Sequence, residues 1–361
     1  MLQRNKSISA WQSGIMLFVL AFANKVLILP SLIGKKSRIE AMIVLSCLFL
    51  FDMILLFLFF LTKRKHPNKS LFELIKSALG NGFLVFFSIL CCIFFFSKAV
   101  FLFNVFQNFM RSVMYKNAVT LVFLICLLPV AGYFVLSGIR TMCRTMQMFF
   151  PILAIVSLFC VVVGFFQLQD QTIMSSFSFS DFSLDTFKHI GAFGDSLILF
   201  LFMDKISVSK GEWKVVFSLS ILGDVFVFLI CVIYLFSYPY TYFLHPFAVF
   251  ELLSFVKEYN GLGRIDIIVV ILMMIFFIFQ FSIYMLGFVF SFKNICPFFS
   301  ENYIVGLFDF VFVIVIYFFV TNIQTTIFFG ENIMSFSTAI PLILLPVLIF
   351  YAKKGDKWRN L

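Results

Sequence analysis

Two lysines of this sequence, Lys25 and Lys98, lie inside long apolar stretches of the chain. An ammonium at the centre of a membrane helix costs roughly 2.5 to 3.5 kcal/mol on insertion scales, so each lysine must have a partner or a function. Asp195 stands in the stretch GAFGDS, directly after Gly194, where an apolar run is interrupted. There a carboxylate and unwound backbone carbonyls could receive a ligand ammonium.

A structural role competes with each of these interpretations. Lys25 could pair with Asp195 or face an aqueous vestibule. Asp195 could bind a ligand or cap the half-helix that follows it, because aspartate is a favoured N-cap. Lys98, in FFFSKAVF, could line the same site or form a buried pair.

Three further aspartates interrupt other apolar runs, namely Asp52, Asp224 and Asp309. Asp52 and Asp309 are candidate partners for the two lysines. Asp224 is expected along a polar seam between helices, and a structural role is favoured for all three residues.

No pattern typical of an enzyme or a metal site is present in the sequence. The three histidines are far apart, and the eight cysteines include no C-x-x-C pair, so we expect neither a metal site nor disulfide bonds. The Gly-Leu-Gly at 261–263 lacks the third glycine of a dinucleotide-binding motif. The sequence therefore predicts no catalytic residue and no cofactor.

The composition is that of an integral membrane protein. Hydrophobic residues make up 62% of the chain, charged residues only 12%, and the mean hydropathy is +1.09. A soluble domain is roughly half apolar and about a quarter charged. The 58 phenylalanines are spread over all the apolar runs, as expected for side chains that face lipid.

Apolar runs bounded by charged residues or by Gly, Pro and Asn predict ten transmembrane helices. These predicted spans 1 to 10 lie at about 9–33, 39–62, 83–110, 117–137, 147–167, 187–206, 213–238, 265–291, 302–321 and 333–352. The fold class is thus an all-α membrane protein, with residues 1–361 forming a single membrane domain.

The distribution of Lys and Arg predicts the orientation of the spans. The loops on one side carry 17 of these residues and those on the other side carry eight; Lys25 and Lys98 complete the total of 27. The richer side is cytoplasmic by the positive-inside rule, so both termini are cytoplasmic. The net charge of +10 then matches anionic lipid head groups, and no nucleic-acid partner is expected.

Two loops have helical patterns of their own. Residues 70–80 place apolar side chains on one face and predict a helix on the cytoplasmic surface, the face consisting of Leu71, Leu74, Ile75, Ala78 and Leu79. Residues 245–261 begin with a proline in the first turn and end in Asn-Gly, which predicts an external helix.

The ten spans divide into two groups of five, at 9–167 and 187–352, and the first span of each group is interrupted. Span 1 contains Asn24, Lys25 and Pro30, and span 6 contains Gly191 and Gly194. Corresponding interruptions in two halves indicate an inverted repeat with a ligand site near the middle of the membrane.

Three segments carry a resemblance to a known family. ISAWQSGIMLFVLAFANKVLILP near the start resembles the opening of the spore germination permeases, the B subunits of nutrient germinant receptors. GIRTMCRTMQMFFP (138–151) is similar to that family's Gly and Arg before the fifth helix. GRIDIIVVILMMIFFIFQFSIYM (263–285) is similar to its eighth helix.

The resemblance implies the amino acid/polyamine/organocation superfamily, with a bundle in which helices 1 and 6 are broken. It also implies sensing of a small nutrient, such as an amino acid, together with A-type and C-type subunits in the spore inner membrane. The sequence departs from the family at Ala23, Asn24 and Lys25, where small residues including glycine are usual, and at Asp195, where glutamate is frequent.

The ligand-binding residues expected from this reasoning are Asn24, Lys25, Lys98, Gly191, Gly194 and Asp195. If span 1 unwinds around Asn24 to Ile28, freed N–H groups would hold a ligand carboxylate while Asp195 holds its ammonium. Lys25 would then replace a coupling cation and make binding insensitive to sodium.

Three functions of this multi-pass membrane protein remain open at this point. The first is a receptor subunit that binds a small zwitterion. The others are a secondary transporter for amino acids or amines and a scaffold that has lost ligand binding, since a receptor and a transporter share the physics of the site.

The orientation can be tested by cysteine labelling in an otherwise cysteine-free chain. We expect Lys65→Cys to react only with reagents that reach the cytoplasmic side and Lys257→Cys only with external reagents, because an odd number of predicted spans separates them. Lys357→Cys is the control for the cytoplasmic side. Reaction of Lys65→Cys and Lys257→Cys from the same side would rule out the ten-span topology.

Overall fold

The structure is a computed structural model that describes residues 7–33, 38–67, 69–113, 120–166, 190–207, 211–237, 247, 265–319 and 328–358. These residues are almost entirely helical. The α-helices are α1 (Ala10–Ile33), α2 (Arg38–Lys65), α3 (Leu71–Leu79), α4 (Asn81–Val113), α5 (Thr120–Ser137), α6 (Ile139–Phe165), α7 (Leu197–Leu201), α8 (Trp213–Ser237), α9 (Ile265–Ile295), α10 (Glu301–Phe319) and α11 (Ser335–Trp358). A 3-10 turn (Met203–Lys205), a π-helical turn (Phe329–Met334) and two short strands complete the described elements.

Eight of the described helices are long and apolar enough to cross a membrane, namely α1, α2, α4, α5, α6, α8, α9 and α10. They correspond to predicted spans 1 to 5 and 7 to 9. Span 6 is broken into short pieces, and span 10 is the π-helical turn followed by α11, which contains Pro341 and Pro346. The count of ten and the inverted repeat therefore stay predictions.

The predicted start of span 5 was wrong by eight residues. Helix α6 begins at Ile139, and Pro151 lies inside it. The boundary is Gly138, whose φ of 87° lets the chain turn sharply between α5 and α6. A proline in the interior of a membrane helix is tolerated because neighbouring groups satisfy the freed carbonyl, so Pro151 does not mark the helix end.

The outer faces of the described helices are apolar. On α2, the side chains of Leu50, Ile54, Phe57 and Leu61 are exposed and recur every three or four residues, which places them on one face. A stripe of this kind would be unstable in water, whereas lipid tails solvate it. The structure thus confirms the prediction of a multi-pass membrane protein.

Helix α1 packs most extensively against α8, and small residues permit the close approach. A Cβ atom at Gly223 would lie 3.2 Å from the Cβ of Ala21 and from the backbone Cα of Phe18. A Cβ atom at Gly14 would lie 2.7 Å from the Cδ1 of Leu219. Close contact through small residues is how helices associate in lipid, where the hydrophobic effect gives no preference for helix over lipid.

The predicted break in span 1 is wrong for this structure. Helix α1 continues without interruption from Ala10 to Ile33 and so includes both Lys25 and Pro30. The ammonium of Lys25 pairs with carboxylates on neighbouring helices, so no backbone carbonyl of α1 is needed to neutralise it.

Contacts at one end of the bundle join segments that the basic-residue count places on the cytoplasmic side. Strand β1 (Ile8–Ser9) pairs in parallel with strand β2 (Ile206–Ser207). The Nζ of Lys63 donates a hydrogen bond of 2.6 Å to the carbonyl oxygen of Met203. These contacts tie the start of α1 and the end of α2 to the end of the span-6 region and agree with the predicted orientation.

The surface helix at 70–80 is confirmed as α3. A capping box starts it: the Ser70 hydroxyl accepts from the N–H of Glu73, and the Glu73 carboxylate accepts from the N–H of Ser70. Leu71, Leu74 and Ile75 are buried as predicted, whereas Leu79, at the last position of the helix, is exposed. The predicted external helix at 245–261 lies outside the described residues, apart from Phe247.

The α1–α8 contact predicts that Gly223→Val destabilises the protein, because the added methyl groups must push apart two helices whose backbones meet there. Overpacking of this kind costs about 1 to 3 kcal/mol. We expect a lower Tm of the purified protein in detergent, measured by tryptophan fluorescence. Gly306→Val is the matched control, since a Cβ atom at Gly306 would meet nothing within 4 Å. An equal Tm for both variants would contradict the close contact.

Candidate functional site

The site is built around a break in the span-6 region. A 3-10 turn occupies residues 190–192, and α7 begins only at Leu197. Between them Gly194 has a φ of 83°, and a Cβ atom there would lie 2.4 Å from the Cδ1 of Leu342, so a larger residue would meet both strain and a clash. The break leaves the carbonyl of Phe193 and the side chain of Asp195 available to other helices.

The ammonium of Lys98, on α4, is bound at this break. Its Nζ donates to the carbonyl oxygen of Phe193 at 2.7 Å and to the Oδ1 of Asp195 at 2.5 Å. The rings of Phe94 and Tyr284 lie 5.1 Å and 5.8 Å from the same nitrogen, within the range of a cation–π interaction. Lys98 is fully buried, so these groups replace the water that an ammonium would otherwise bind.

Helix α9 supplies a second donor to Asp195. The hydroxyl of Tyr284 donates to its Oδ1 at 2.9 Å. One turn earlier, the amide Nε2 of Gln280 donates to the hydroxyl oxygen of Tyr284 at 2.7 Å and to the carbonyl oxygen of Leu20 on α1 at 3.1 Å. The other carboxylate oxygen of Asp195, Oδ2, is buried and has no hydrogen-bond partner within the described part of the chain.

Lys25 forms the second half of the cluster. Its Nζ lies 2.7 Å from the Oδ2 of Asp52 on α2 and 3.4 Å from the Oδ1 of Asp224 on α8. The ring of Phe193 lies 4.3 Å from the same nitrogen. The Oδ1 of Asp52 accepts from the backbone N–H of Gly194 at 2.7 Å, which connects this half to the helix break.

Among the described residues, the cluster has one more acidic than basic side chain. It contains three carboxylates, Asp52, Asp195 and Asp224, and two ammonium groups, Lys25 and Lys98, and all five residues are buried. An uncompensated charge in a low-dielectric interior is costly. The third carboxyl group must therefore be neutralised by a proton or by one further positive group, and the Oδ2 of Asp195, which has no partner among the described residues, is an oxygen that could bind either.

The structure brings most of the predicted site residues together. Lys25, Lys98, Gly194 and Asp195 lie in the cluster, and Gly191 lies on its edge, where its carbonyl accepts from the Thr338 hydroxyl at 3.5 Å. The backbone of Asn24 is part of α1, but its side chain lies outside the described residues.

Several pairings differ from the predictions. Lys25 pairs with Asp52 and Asp224 rather than with Asp195, which pairs with Lys98. The vestibule interpretation is wrong as well, since Lys25 is only 2% exposed.

The roles expected for the aspartates also change. Asp224 joins the cluster instead of a separate seam. Asp195 does not cap α7, since Ser196 holds the N-cap position and the carboxylate faces Lys98 and Tyr284. Asp309 lies partly buried on α10, and its Oδ1 has no hydrogen-bond partner among the described residues.

Sequence reasoning missed the parts played by Gln280 and Tyr284. The signal that could have found them is their spacing: two polar side chains four residues apart on one face of an otherwise apolar helix. Among the residues that the structure describes, no group of His, Cys, Asp and Glu is arranged to hold a metal ion.

Comparisons with known proteins identify the fold and the family. Residues 7–327 match the family described as spore germination protein, or spore permease. Among solved structures, the chain is similar to a substrate-bound, outward-open Na+-coupled sialic acid symporter, with a TM-score of 0.58 over 92% of this chain and 73% of that one. The sequence identity is 13%, so this similarity concerns the fold alone. No curated protein sequence matches the chain.

The cluster predicts that Lys25→Met lowers the stability of the protein, because Asp52 and Asp224 lose their common partner. Removing one member of a buried ion pair costs about 3 to 5 kcal/mol. We expect a clear fall in Tm in detergent and partial recovery in Lys25→Met/Asp224→Asn, which removes one negative charge as well.

Lys293→Met is the control for this prediction, since its ion pair with Glu301 is exposed and such pairs contribute about 0 to 1 kcal/mol. If the Lys25 ammonium carried only an insertion penalty, Lys25→Met would instead be as stable as the wild type and would express better.

Proposed function

The chain belongs to the spore germination protein family, and from this premise we propose that it is the membrane subunit of a nutrient germinant receptor. In this role it senses a small ligand, such as an amino acid, and signals by a shift between two arrangements of the helix bundle. The family and the fold are those of membrane permeases.

The observation that carries this proposal is the buried carboxylate of Asp195 at the helix break. One of its oxygens has no partner among the residues that the structure describes, in a cluster where three carboxyl groups face two lysines. A ligand ammonium supplies a hydrogen-bond donor to this oxygen and places a positive charge beside it. Buried ionisable groups inside a membrane bundle commonly mark a ligand or ion pathway.

The same geometry changes the binding mode expected from the sequence. Because α1 is continuous around Lys25, it offers no freed N–H groups for a ligand carboxylate. The fixed cations Lys25 and Lys98 are the groups in the cluster that can attract that carboxylate. Since two ammonium groups are covalently part of the site, we also propose that ligand binding needs no sodium.

A secondary transporter for amino acids or amines is the second candidate function. It is favoured by the similarity of the fold to a symporter. Uptake by the purified protein in proteoliposomes separates the two functions, since fast concentrative flux of an amino acid identifies a transporter, whereas a receptor binds without such flux.

The proposed receptor works in a complex. By analogy with its family, we propose A-type and C-type subunits as partners and the spore inner membrane as the location. Copurification of the three subunits from spore membranes tests this assembly directly.

We expect Asp195→Asn to raise the ligand concentration for half-maximal germination at least tenfold, because a neutral amide no longer attracts an ammonium. The measurement is the germination rate of spores that carry the variant, triggered by a mixture of the twenty amino acids. Asp309→Asn is the matched control, since Asp309 is a partly buried membrane aspartate on α10, and it should respond like the wild type. A normal response of Asp195→Asn would refute the proposed site.

A further inference from the structure

Lys98 is held as a bound ammonium ligand would be held. A backbone carbonyl freed by the helix break, a carboxylate oxygen and two aromatic rings surround its nitrogen. These groups are the usual components of a site for a small primary ammonium. We infer that the break contains an ammonium-binding site that the chain fills with its own Lys98, and that a ligand ammonium enters this site by exchange with Lys98.

The free oxygen of Asp195 provides a route for the exchange. An incoming ammonium can contact Oδ2 while Lys98 still binds Oδ1, so the carboxylate is never left without a cation. The charge of the cluster permits this intermediate, because three carboxylates then face three ammonium groups. After release, we expect Asp52 to stabilise the Lys98 ammonium, because its carboxylate accepts from the N–H of Gly194, the residue before Asp195.

The chemistry of the site selects the class of cation. The acceptors around Lys98 are the Phe193 carbonyl and the Asp195 carboxylate. Because both accept from the same nitrogen, the site fits a compact group with several N–H donors. A quaternary ammonium has no N–H donor, and a planar guanidinium does not have the shape of an ammonium. The ligand class is therefore the primary ammonium ion, as in an α-amino acid or an alkylamine.

Lys98 also sets the affinity of the site. A tethered ammonium competes with a free ligand at an effective concentration of about millimolar or above. The wild-type protein should thus bind simple alkylammonium ions weakly, and shortening the side chain should expose the site. This inference deepens the proposed function and rests on it for the identity of the natural ligand, but the site itself can be tested without any germination assay.

The test uses purified full-length Lys98→Ala and n-propylammonium chloride, whose heavy atoms match the part of the side chain that is removed. We expect the variant to have a lower Tm than the wild type and n-propylammonium to raise it saturably by about 2 °C or more. Tetramethylammonium, which has the charge without the N–H donors, and n-propanol, which has the chain without the charge, should have no such effect. The wild type should need at least a tenfold higher concentration of n-propylammonium for the same rise in Tm.

Two variants complete the experiment. Lys98→Ala/Asp195→Asn replaces the charged acceptor with a neutral amide and should not respond to n-propylammonium. Lys293→Ala, at an exposed ion pair, should not respond either. If Lys98→Ala is not recovered folded, the yield of monodisperse protein extracted with and without n-propylammonium is the readout, and a yield that rises only with this ion supports the inference.

Absence of any selective effect of n-propylammonium on Tm or yield would overturn the inference. It would leave the proposed receptor function standing, because that function is tested separately by Asp195→Asn in spores. Conversely, a selective effect together with a normal germination response of Asp195→Asn would establish the ammonium site and refute its proposed role in sensing.

Discussion

The need to neutralise charge inside an apolar bundle governs the centre of this protein. Lys25 and Lys98 must have partners, since an isolated ammonium in a medium of low dielectric constant is strongly unfavourable. Their carboxylate partners come from α2, α8 and the helix break, and Tyr284 adds a donor from α9. The ion pairs therefore join these helices at the centre of the bundle, in addition to the close apolar contacts between them.

Spans 1 and 6, for both of which the sequence predicts a break, show how the need to neutralise charge leads to different backbones. In span 1, carboxylates on neighbouring helices neutralise Lys25, and α1 stays continuous. In span 6, Gly194 adopts a backbone conformation that a side chain disfavours, and the helix opens. The backbone groups at the break have partners on other helices: the Phe193 carbonyl accepts from Lys98, and the Gly194 N–H donates to Asp52. This use agrees with the rule that irregular backbone at membrane depth must be buried in protein.

Features set by local sequence were predictable, and features set by helix packing were not. Most span boundaries can be predicted from hydropathy, and α3 can be predicted from its apolar face. The capping box of Ser70 and Glu73 also depends only on residues close together in the sequence. The need of Lys25 for a partner is also visible in the sequence. The choice of Asp52 and Asp224 over Asp195 is not, because it depends on which faces α1, α2 and α8 present to one another. The break predicted at Pro30 was wrong, since α1 continues through this residue and membrane helices tolerate an interior proline.

The polar network also divides the described helices into two groups that meet at Asp195. Lys25 joins α1, α2 and α8, and α1 packs most closely on α8; Lys98 and Tyr284 belong to α4 and α9, which pack closely on each other. Among the described residues, Asp195 and the Phe193 carbonyl link the second group to the break, and the Gln280 bond to Leu20 links it to α1. Under the proposed exchange, a ligand ammonium would replace the covalently anchored Lys98 with an untethered group at this junction. The second group would then lose a fixed link to the break, and the balance between two arrangements of the bundle would shift by the difference in ligand affinity for each.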